Sequence, residues 1–305
     1  MELSSLTQSI PCAICGTADN YRIRYKEENL NPSSVTFPSR EVPRRHHYQT
    51  VECNACGLVY SNPIFLEDKI LQLYRDATEY PDDIQFKKRD DNYDKQFQGV
   101  LPLLKRRDAF LEIGCASGSF LKRAKAYGFK EVFGIELGED AIRKADSEVR
   151  PWIVHSEFKH GLFPADYFDA VCSFQVLDHV RDPNEFVSGI YTLLRKGGIV
   201  LGVNHNIRSL YVRLVGRRCH MYCVDHIYLF DTSTVRKLLE KHGFEVVTIE
   251  SIFNSYTLDY CIRLLPFPPA AKTALCRVLH VLKMAHWTIR APGGNMLWVA
   301  RKRNA

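Results

Sequence analysis

With 305 residues, 46% of them hydrophobic and 25% charged, the chain has an ordinary globular composition and exceeds the usual single-domain size. Disordered and collagen-like classes are excluded, and so is a spanning helix, because no window carries about 18 uninterrupted apolar residues. A formal charge of +6 permits contact with nucleic acid or an anionic membrane without requiring it, so charge alone decides little about partners.

Met1–Ser5 has no basic start leading into an apolar run, so the expected location is the cytoplasm. There the ten cysteines are expected as thiols or metal ligands rather than disulfides. Residues 1–65 lack helical periodicity and carry Pro32, Pro38, Pro43 and Pro63. Such a small loop-rich segment buries too little apolar surface to fold without a staple. Cys12-Ala-Ile-Cys15 and Cys53-Asn-Ala-Cys56 supply one: each pair can place two thiolates on one metal, which gives a closed, structural four-sulfur zinc site. The stretch from 16 to 52 exceeds the roughly 15 to 20 residues of a common ribbon, so part of it loops out. The other six cysteines are read as small buried apolar residues, with Cys219 and Cys223 beside His220 as a lesser metal candidate.

Residues 66–107 read as a helical linker: a helix, a charged stretch from Lys87 to Asp91, and a second helix ending at Leu104. From 108 to 305, short β-rich runs alternate with helical stretches, the pattern of βαβ units on a parallel sheet. Strands are expected at Ala109–Ile113, Glu131–Glu136, Trp152–His155, Asp169–Phe174 and Ile199–Val203, with helices at Ser119–Tyr127, Glu139–Glu148 and Pro183–Leu194 between them. A helix at Thr232–His242, stopped by Gly243, precedes strands at Glu245–Glu250 and Met296–Arg301. Residues 256–294 form a long helical insertion between those last strands, and insertions of that length usually carry function or structure of their own.

The decisive stretch is Phe110-Leu-Glu-Ile-Gly-Cys-Ala-Ser-Gly-Ser119, a buried strand entering a glycine-bearing turn and then a helix. Gly114 and Gly118 let the backbone pass close to a ligand at the carboxyl end of the strand, where open α/β sheets bind ligands. A dinucleotide fingerprint needs glycine at 114, 116 and 119, and this chain has Ala116 and Ser119, which argues against NAD or FAD. A second marker is Phe133-Gly-Ile-Glu136, a strand closing on a carboxylate that can accept from two ribose hydroxyls.

The order of these pieces resembles the class I S-adenosylmethionine (SAM) dependent methyltransferases over about residues 108–302. The resemblance rests on Leu111 to Gly118, Gly134 to Gly138, Phe168 to His179, Leu194 to Gly198, His226 to Phe230 and Lys241 to Glu245. Ala116 departs from the family's glycine. The implied fold is α/β, a Rossmann-like seven-stranded methyltransferase sheet with a small N-terminal zinc-ribbon-like domain. By the same resemblance the turn Glu112, Gly114, Cys115, Ala116 and Gly118 lies along the methionine part of SAM, and Glu136 with Leu137 holds the ribose. Ser156 and Glu157 fall near the adenine, and Phe174 and Gln175 beside the transferred methyl.

Methyl transfer asks the protein to align and desolvate two reactants, with a base only where the acceptor is weakly acidic. His226 is the expected general base, assisted by Asp225 or Tyr222, and His179 also faces the acceptor pocket in related enzymes. His155, His160 and His205 are expected to be structural. The N-terminal cysteine module also resembles that of sugar C-methyltransferases, with Asp225-His226 in the place of their acidic residue and histidine, and Tyr74 and Tyr80 as tyrosines over the pocket. Those enzymes carry a further C-terminal domain that this chain has no room for. The expected acceptor is therefore a small metabolite, a sugar, nucleotide-sugar or lipid-linked glycan precursor, methylated on oxygen or carbon.

Two alternatives stand beside this. RNA is disfavoured, although Arg44-Arg-His-His47 is basic, because base amino methylation usually needs an Asn/Asp-Pro-Pro-aromatic turn where this chain has Ser173-Phe-Gln-Val176. A non-catalytic SAM-binding scaffold at the inner face of a membrane is the other, through an amphipathic helix at 270–287 with Leu275, Val278 and Leu282 on one face. Core packing is the preferred reading of that stripe.

Overall fold

A computed structural model describes residues 6–30, 35, 46–77, 84–265 and 267–303, so Tyr80, Arg44 and Arg45 lie outside the described residues. The N-terminal part holds strands β1 (Thr7–Gln8), β2 (Tyr21–Tyr25), β3 (Thr50–Cys53), β4 (Val59–Ser61) and β5 (Ile64–Phe65), then helices α1 (Glu67–Arg75) and α2 (Ile84–Val100). There follow β6 (Ala109–Ile113), α3 (Ser119–Ala126), β7 (Glu131–Glu136), α4 (Glu139–Lys144), β8 (Ile153–His155), β9 (Phe168–Phe174), α5 (Pro183–Leu193) and β10 (Leu194–His205). The remainder is α6 (Leu210–Val215), β11 (Tyr228–Leu229), α7 (Thr232–Lys241), β12 (Phe244–Ser251), β13 (Asn254–Thr257), α8 (Leu258–Leu264), α9 (Pro269–Val281), β14 (Thr288–Ala291) and β15 (Asn295–Lys302).

Seven strands form one sheet in the order β12-β15-β10-β9-β6-β7-β8, with β15 antiparallel to both neighbours and the rest running one way. Every residue of β6 and β9 is buried, as central parallel strands covered on both faces require. The chain runs outward through β6, β7 and β8 and then returns to β9, which places the reversal of strand order between β6 and β9. Ligands of open sheets bind at such a crevice. Helix starts are set by local chemistry. The Asp182 side chain accepts from the N–H groups of Asn184 and Glu185 to cap α5, and Asp231 and Thr234 form a reciprocal capping box on α7.

The segment preceding α1 is not a separate bead. Its small antiparallel sheet, β11-β4-β3-β2, is completed by β11 from the far part of the chain. Tyr48, Leu58 and Phe65 belong to the same buried cluster as Leu111, Phe168 and Trp298 of the large sheet. On the opposite face, Phe97 of α2 packs against Phe110, Phe120 and Phe129.

Several expectations need correction. Lys87–Asp91 is the first half of α2 rather than a linker, because its acids find partners on the helix after the glycine turn. Asp90 accepts from Ser119 Oγ at 2.6 Å, and Arg123 reaches Asp91 at 2.8 Å and Asp94 at 3.3 Å. The α-helix ends at Val100, and Pro102 sits in a 3-10 turn up to Leu103. Helix α4 stops at Lys144, where Arg150 binds the carbonyls of Arg143 and Ala145. The insertion is not wholly helical: β13 and β14 pair as an antiparallel ladder around α8 and α9. Nor does the apolar stripe of α9 pack in a core. Lys272 is buried, whereas Leu275, Val278, Val281 and Leu282 are 41%, 54%, 81% and 58% exposed.

Candidate functional site

A cavity of about 340 Å³ opens at the carboxyl ends of β6, β7 and β9, and α1 covers it with Ile70, Leu71 and Tyr74. Its floor is the glycine turn. Gly114 N and Cys115 N both donate to the Ile135 carbonyl, at 2.8 and 3.1 Å, which ties the turn to β7. Gly114 has φ +75°, and a Cβ there would stand 2.5 Å from Val176 Cγ2, so the position tolerates no side chain without displacement. Ala116 adopts φ +49° in the same turn, where glycine would be unstrained.

The predicted cofactor residues divide into two sets. Gly114, Ala116, Glu136, Leu137, Ser156, Glu157, Phe174 and Gln175 lie on the cavity wall. Cys115 and Gly118 lie behind it. Gly118, φ +75°, begins α3 with a Cβ direction aimed at Val149, 2.5 Å away, and Cys115 packs on Gly134 of β7. Glu112 is buried under the turn, and burial, with Asp90 nearby, pushes its carboxyl well above the usual range. Glu136 is already engaged with backbone: Oε2 accepts from Ala116 N at 2.8 Å, and Oε1 from Leu137 N and Gly138 N at 2.8 and 2.7 Å. The carboxylate thus clamps the turn of β6 to the end of β7. Phe174 stacks on Tyr93 with ring centroids 4.3 Å apart.

Two buried acceptors at this turn, Glu112 Oε2 and Gln175 Oε1, have no hydrogen-bond partner. Gln175 is held at φ +56° with Nε2 donating to Asn295 Oδ1 at 3.3 Å. Unpaired buried acceptors are costly; Gln175 lies on the cavity wall, where a ligand donor would satisfy its Oε1, whereas Glu112 does not line the cavity. The wall is strongly acidic, with Glu67, Glu136, Glu157, Asp182, Glu185 and Asp225 around Arg181, which is ion-paired to Glu67. Burial, followed by Glu67 and Glu185, raises the Glu157 carboxyl. The unpaired Gln175 acceptor, the close backbone approach at Gly114 and surplus negative charge together fit a cationic adenosyl sulfonium such as SAM.

Beyond the far wall four imidazoles cluster. His179, on the cavity, and His226 have ring centroids 4.7 Å apart, His226 and His205 4.9 Å, and His205 and His220 5.7 Å. His226 Nδ1 lies 2.8 Å from the Met221 carbonyl and 2.9 Å from Cys223 Sγ. A carbonyl only accepts, so Nδ1 carries the proton and Nε2 is left as the basic nitrogen. The same logic, with Nδ1 2.8 Å from the Asp225 carbonyl, leaves His179 basic at Nε2. The Asp225 carboxylate is within 4.8 Å of a His226 ring nitrogen. Tyr222 packs edge-on against Tyr25 in a different apolar cluster.

The Asp178–His205 pair has no signature in the sequence pattern. Asp178 accepts from Asn204 Nδ2 and, at 3.0 Å, from His205 Nδ1, while Trp298 Nε1 fixes Asn204 at 2.8 Å. Burial opposes the Asp178 charge, yet His205, His226 and His179 hold its carboxyl below the usual range. His205, read from sequence as structural, is hydrogen-bonded to a buried carboxylate.

The four N-terminal cysteines converge, with all four Sγ atoms within 4.8 Å of one another, Cys12–Cys56 at 3.4 Å and Cys15–Cys53 at 3.5 Å. Each knuckle closes on a left-handed glycine, Gly16 N donating to Cys12 O and Gly57 N to Cys53 O. Burial opposes the Cys53 thiolate, but the N–H groups of Cys56 and Ala55 and the side chains of Cys15 and Thr17 bring its thiol down to about 6. This donor set fits a tetrahedral zinc ion. The knuckles are anchored on the large domain, where Asn184 and Lys241 donate to the Ala13 carbonyl and Lys237 to that of Cys56.

A family model described as "Methyltransferase domain" matches residues 86–249, more than half of the chain. The chain belongs to that methyltransferase family. Curated relatives include the ubiquinone biosynthesis O-methyltransferases of Psychrobacter arcticus, 28% identical over 116 residues, and Dinoroseobacter shibae, 26% identical over 165 residues. The first match covers 35% of this chain and 45% of that protein, the second 50% and 66%. The chain thus spans about half to two thirds of the length of these relatives. A solved structure of a Pyrococcus horikoshii protein shares the fold, with a TM-score of 0.50 at 16% identity over 72% of this chain and 92% of that one. The methyltransferase domain is built on an α/β Rossmann-like fold with a seven-stranded, mostly parallel sheet.

Proposed function

We propose that the protein transfers the methyl group of SAM to an oxygen or carbon of a small metabolite, a sugar, nucleotide sugar or lipid-linked glycan precursor. In this reading Cys12, Cys15, Cys53 and Cys56 hold a structural zinc ion. One observation carries it: a single cavity is bounded on one side by the turn at Gly114 and Ala116 and on another by His179 and Asp225, with His226 directly behind. A donor held along the turn would have its transferable group facing imidazoles whose Nε2 atoms are basic. SAM supplies the activated methyl group. The chain's own residues do the rest: Ile70, Leu71 and Tyr74 exclude water, Gln175 and Glu136 orient, and His226 takes the acceptor's proton, directly or through His179. The two relatives named above are O-methyltransferases, which supports oxygen as the first acceptor atom to test.

Incubating the protein with methyl-labelled SAM and fractionated cell extract is expected to label a low-molecular-weight fraction, and His226→Asn is expected to abolish the labelling. Label confined to RNA or protein would overturn the small-molecule reading.

A further inference from the structure

We propose that a second, basic cavity holds a phosphate or diphosphate group of the methyl acceptor; naming the ligand as acceptor rests on the methyl-transfer reading above. This cavity of about 970 Å³ lies between the N-terminal segment at Glu28 and His47, residues 217–222, and the start of α9. Its charge is the reverse of the first cavity's. Arg217, Arg218, Arg263, Lys272 and Arg277 face it, and Glu28 is the one carboxylate on its wall among the described residues.

Most of this charge is not spent internally. Arg263 is paired with Asp259 at 2.7 Å, and Lys272, almost wholly buried, gives one hydrogen bond to the Arg263 carbonyl at 2.8 Å. An ammonium has three donors, so Lys272 retains two. Arg217, Arg218 and Arg277 form no ion pair with a carboxylate of the described residues. Cations gathered around a concavity repel one another, and guanidinium forks match the paired oxygens of phosphate. Charge complementarity therefore selects a multiply charged phosphate.

The position links this cavity to the chemistry. Cys219 and Tyr222 line the basic cavity and Asp225 lines the acidic one, so the short segment running through to His226 contributes to both. An acceptor anchored by its phosphate on one side of this segment is kept out of the acidic cavity at its charged end and enters with its neutral end. Phe267 offers an apolar surface at the same wall.

The test is titration calorimetry with inorganic pyrophosphate at low ionic strength, with SAM titrated into the same samples. Wild type should bind pyrophosphate saturably. The pairs Arg217→Glu with Arg218→Glu, and Arg277→Glu with Lys272→Gln, should weaken it at least tenfold. A control pair of equal or greater charge change on the same appendage, Lys283→Glu with Arg290→Glu, should weaken it less than threefold. SAM affinity unchanged in all variants shows that they are folded, and a loss of SAM binding in wild type would instead indict the methyl-transfer reading. No pyrophosphate binding by wild type, or equal weakening by the control pair, overturns the proposal. Sedimentation with phosphatidylglycerol vesicles then separates the sources. Salt-sensitive binding that pyrophosphate competes away assigns a lipid-linked phosphate, and pyrophosphate binding without sedimentation assigns a soluble one.

Discussion

The N-terminal segment and the 254–291 insertion are both additions to the same seven-stranded sheet, attached in opposite ways. The N-terminal segment has little regular structure, yet Tyr48 and Phe65 are fully buried, β11 completes its sheet, and Asn184, Lys237 and Lys241 bind its knuckle carbonyls. It also reaches the histidine cluster. Ser61 Oγ donates to the His226 carbonyl at 3.0 Å, and Ser61 N to that of Ile227 at 2.8 Å. The insertion has well-formed helices and a hairpin, but most apolar side chains of α9 remain at the surface. Regularity of secondary structure and integration into the core are therefore separate properties, and burial distinguishes the part that braces the proposed base from the part that offers a surface.

The largest effect expected is from the proposed zinc ion. If the four cysteines hold it, chelation should lower the melting midpoint of the whole chain by about 10 °C or more, since structural zinc contributes folding free energy directly. Calorimetry should show one transition, and a midpoint indifferent to chelator would detach the segment from the core. Phe65→Ala should cost about 3–5 kcal/mol in urea unfolding, the usual range for emptying a buried phenylalanine site. His226→Asn should lower kcat by roughly 10²- to 10⁴-fold with little change in SAM affinity, as loss of a positioned base does. Ser61→Ala should lower kcat by less, about 3- to 10-fold, because one hydrogen bond of about 1 kcal/mol orients the His226 backbone.

Acid should act through the histidine cluster. Burial, then His205 and His226, pushes His220 down to about 3, and burial lowers His205 as well. A depressed folded-state value means that the unfolded chain binds protons first, so this stability is present above about pH 6.5 and is lost as pH falls toward the folded value. The urea midpoint should drop between pH 7 and pH 5, and His220→Gln should flatten the drop; an unchanged slope would contradict this assignment. Smallest of all, Val281→Asp should change stability by no more than about 0.5 kcal/mol, because the side chain is already in solvent. A loss of several kcal/mol would place α9 in a core after all.

What could be read from sequence follows from the range of the interactions concerned. The strand Ala109–Ile113 and the turn after it are legible because a short apolar run and glycines with special backbone angles act locally. The cysteine knuckles are legible for the same reason. Lys87–Asp91 misleads because its partners, Ser119 and Arg123, come from another helix, and charge alone resembles a linker. The Asp178–His205 pair is invisible since it joins the loop after β9 to the end of β10 through Asn204 and Trp298. The apolar stripe of α9 has the same spacing whether it faces a core or water, and only the packing decides.

The proposed seat of the adenosyl sulfonium is the turn at Gly114 with the carboxylate of Glu136. Titration calorimetry of the zinc-loaded protein tests it most directly. The expected result is saturable, near-equimolar heat with SAM, lost in Gly114→Val, and no heat with NAD. Heat with NAD and none with SAM would remove SAM as the ligand of this turn.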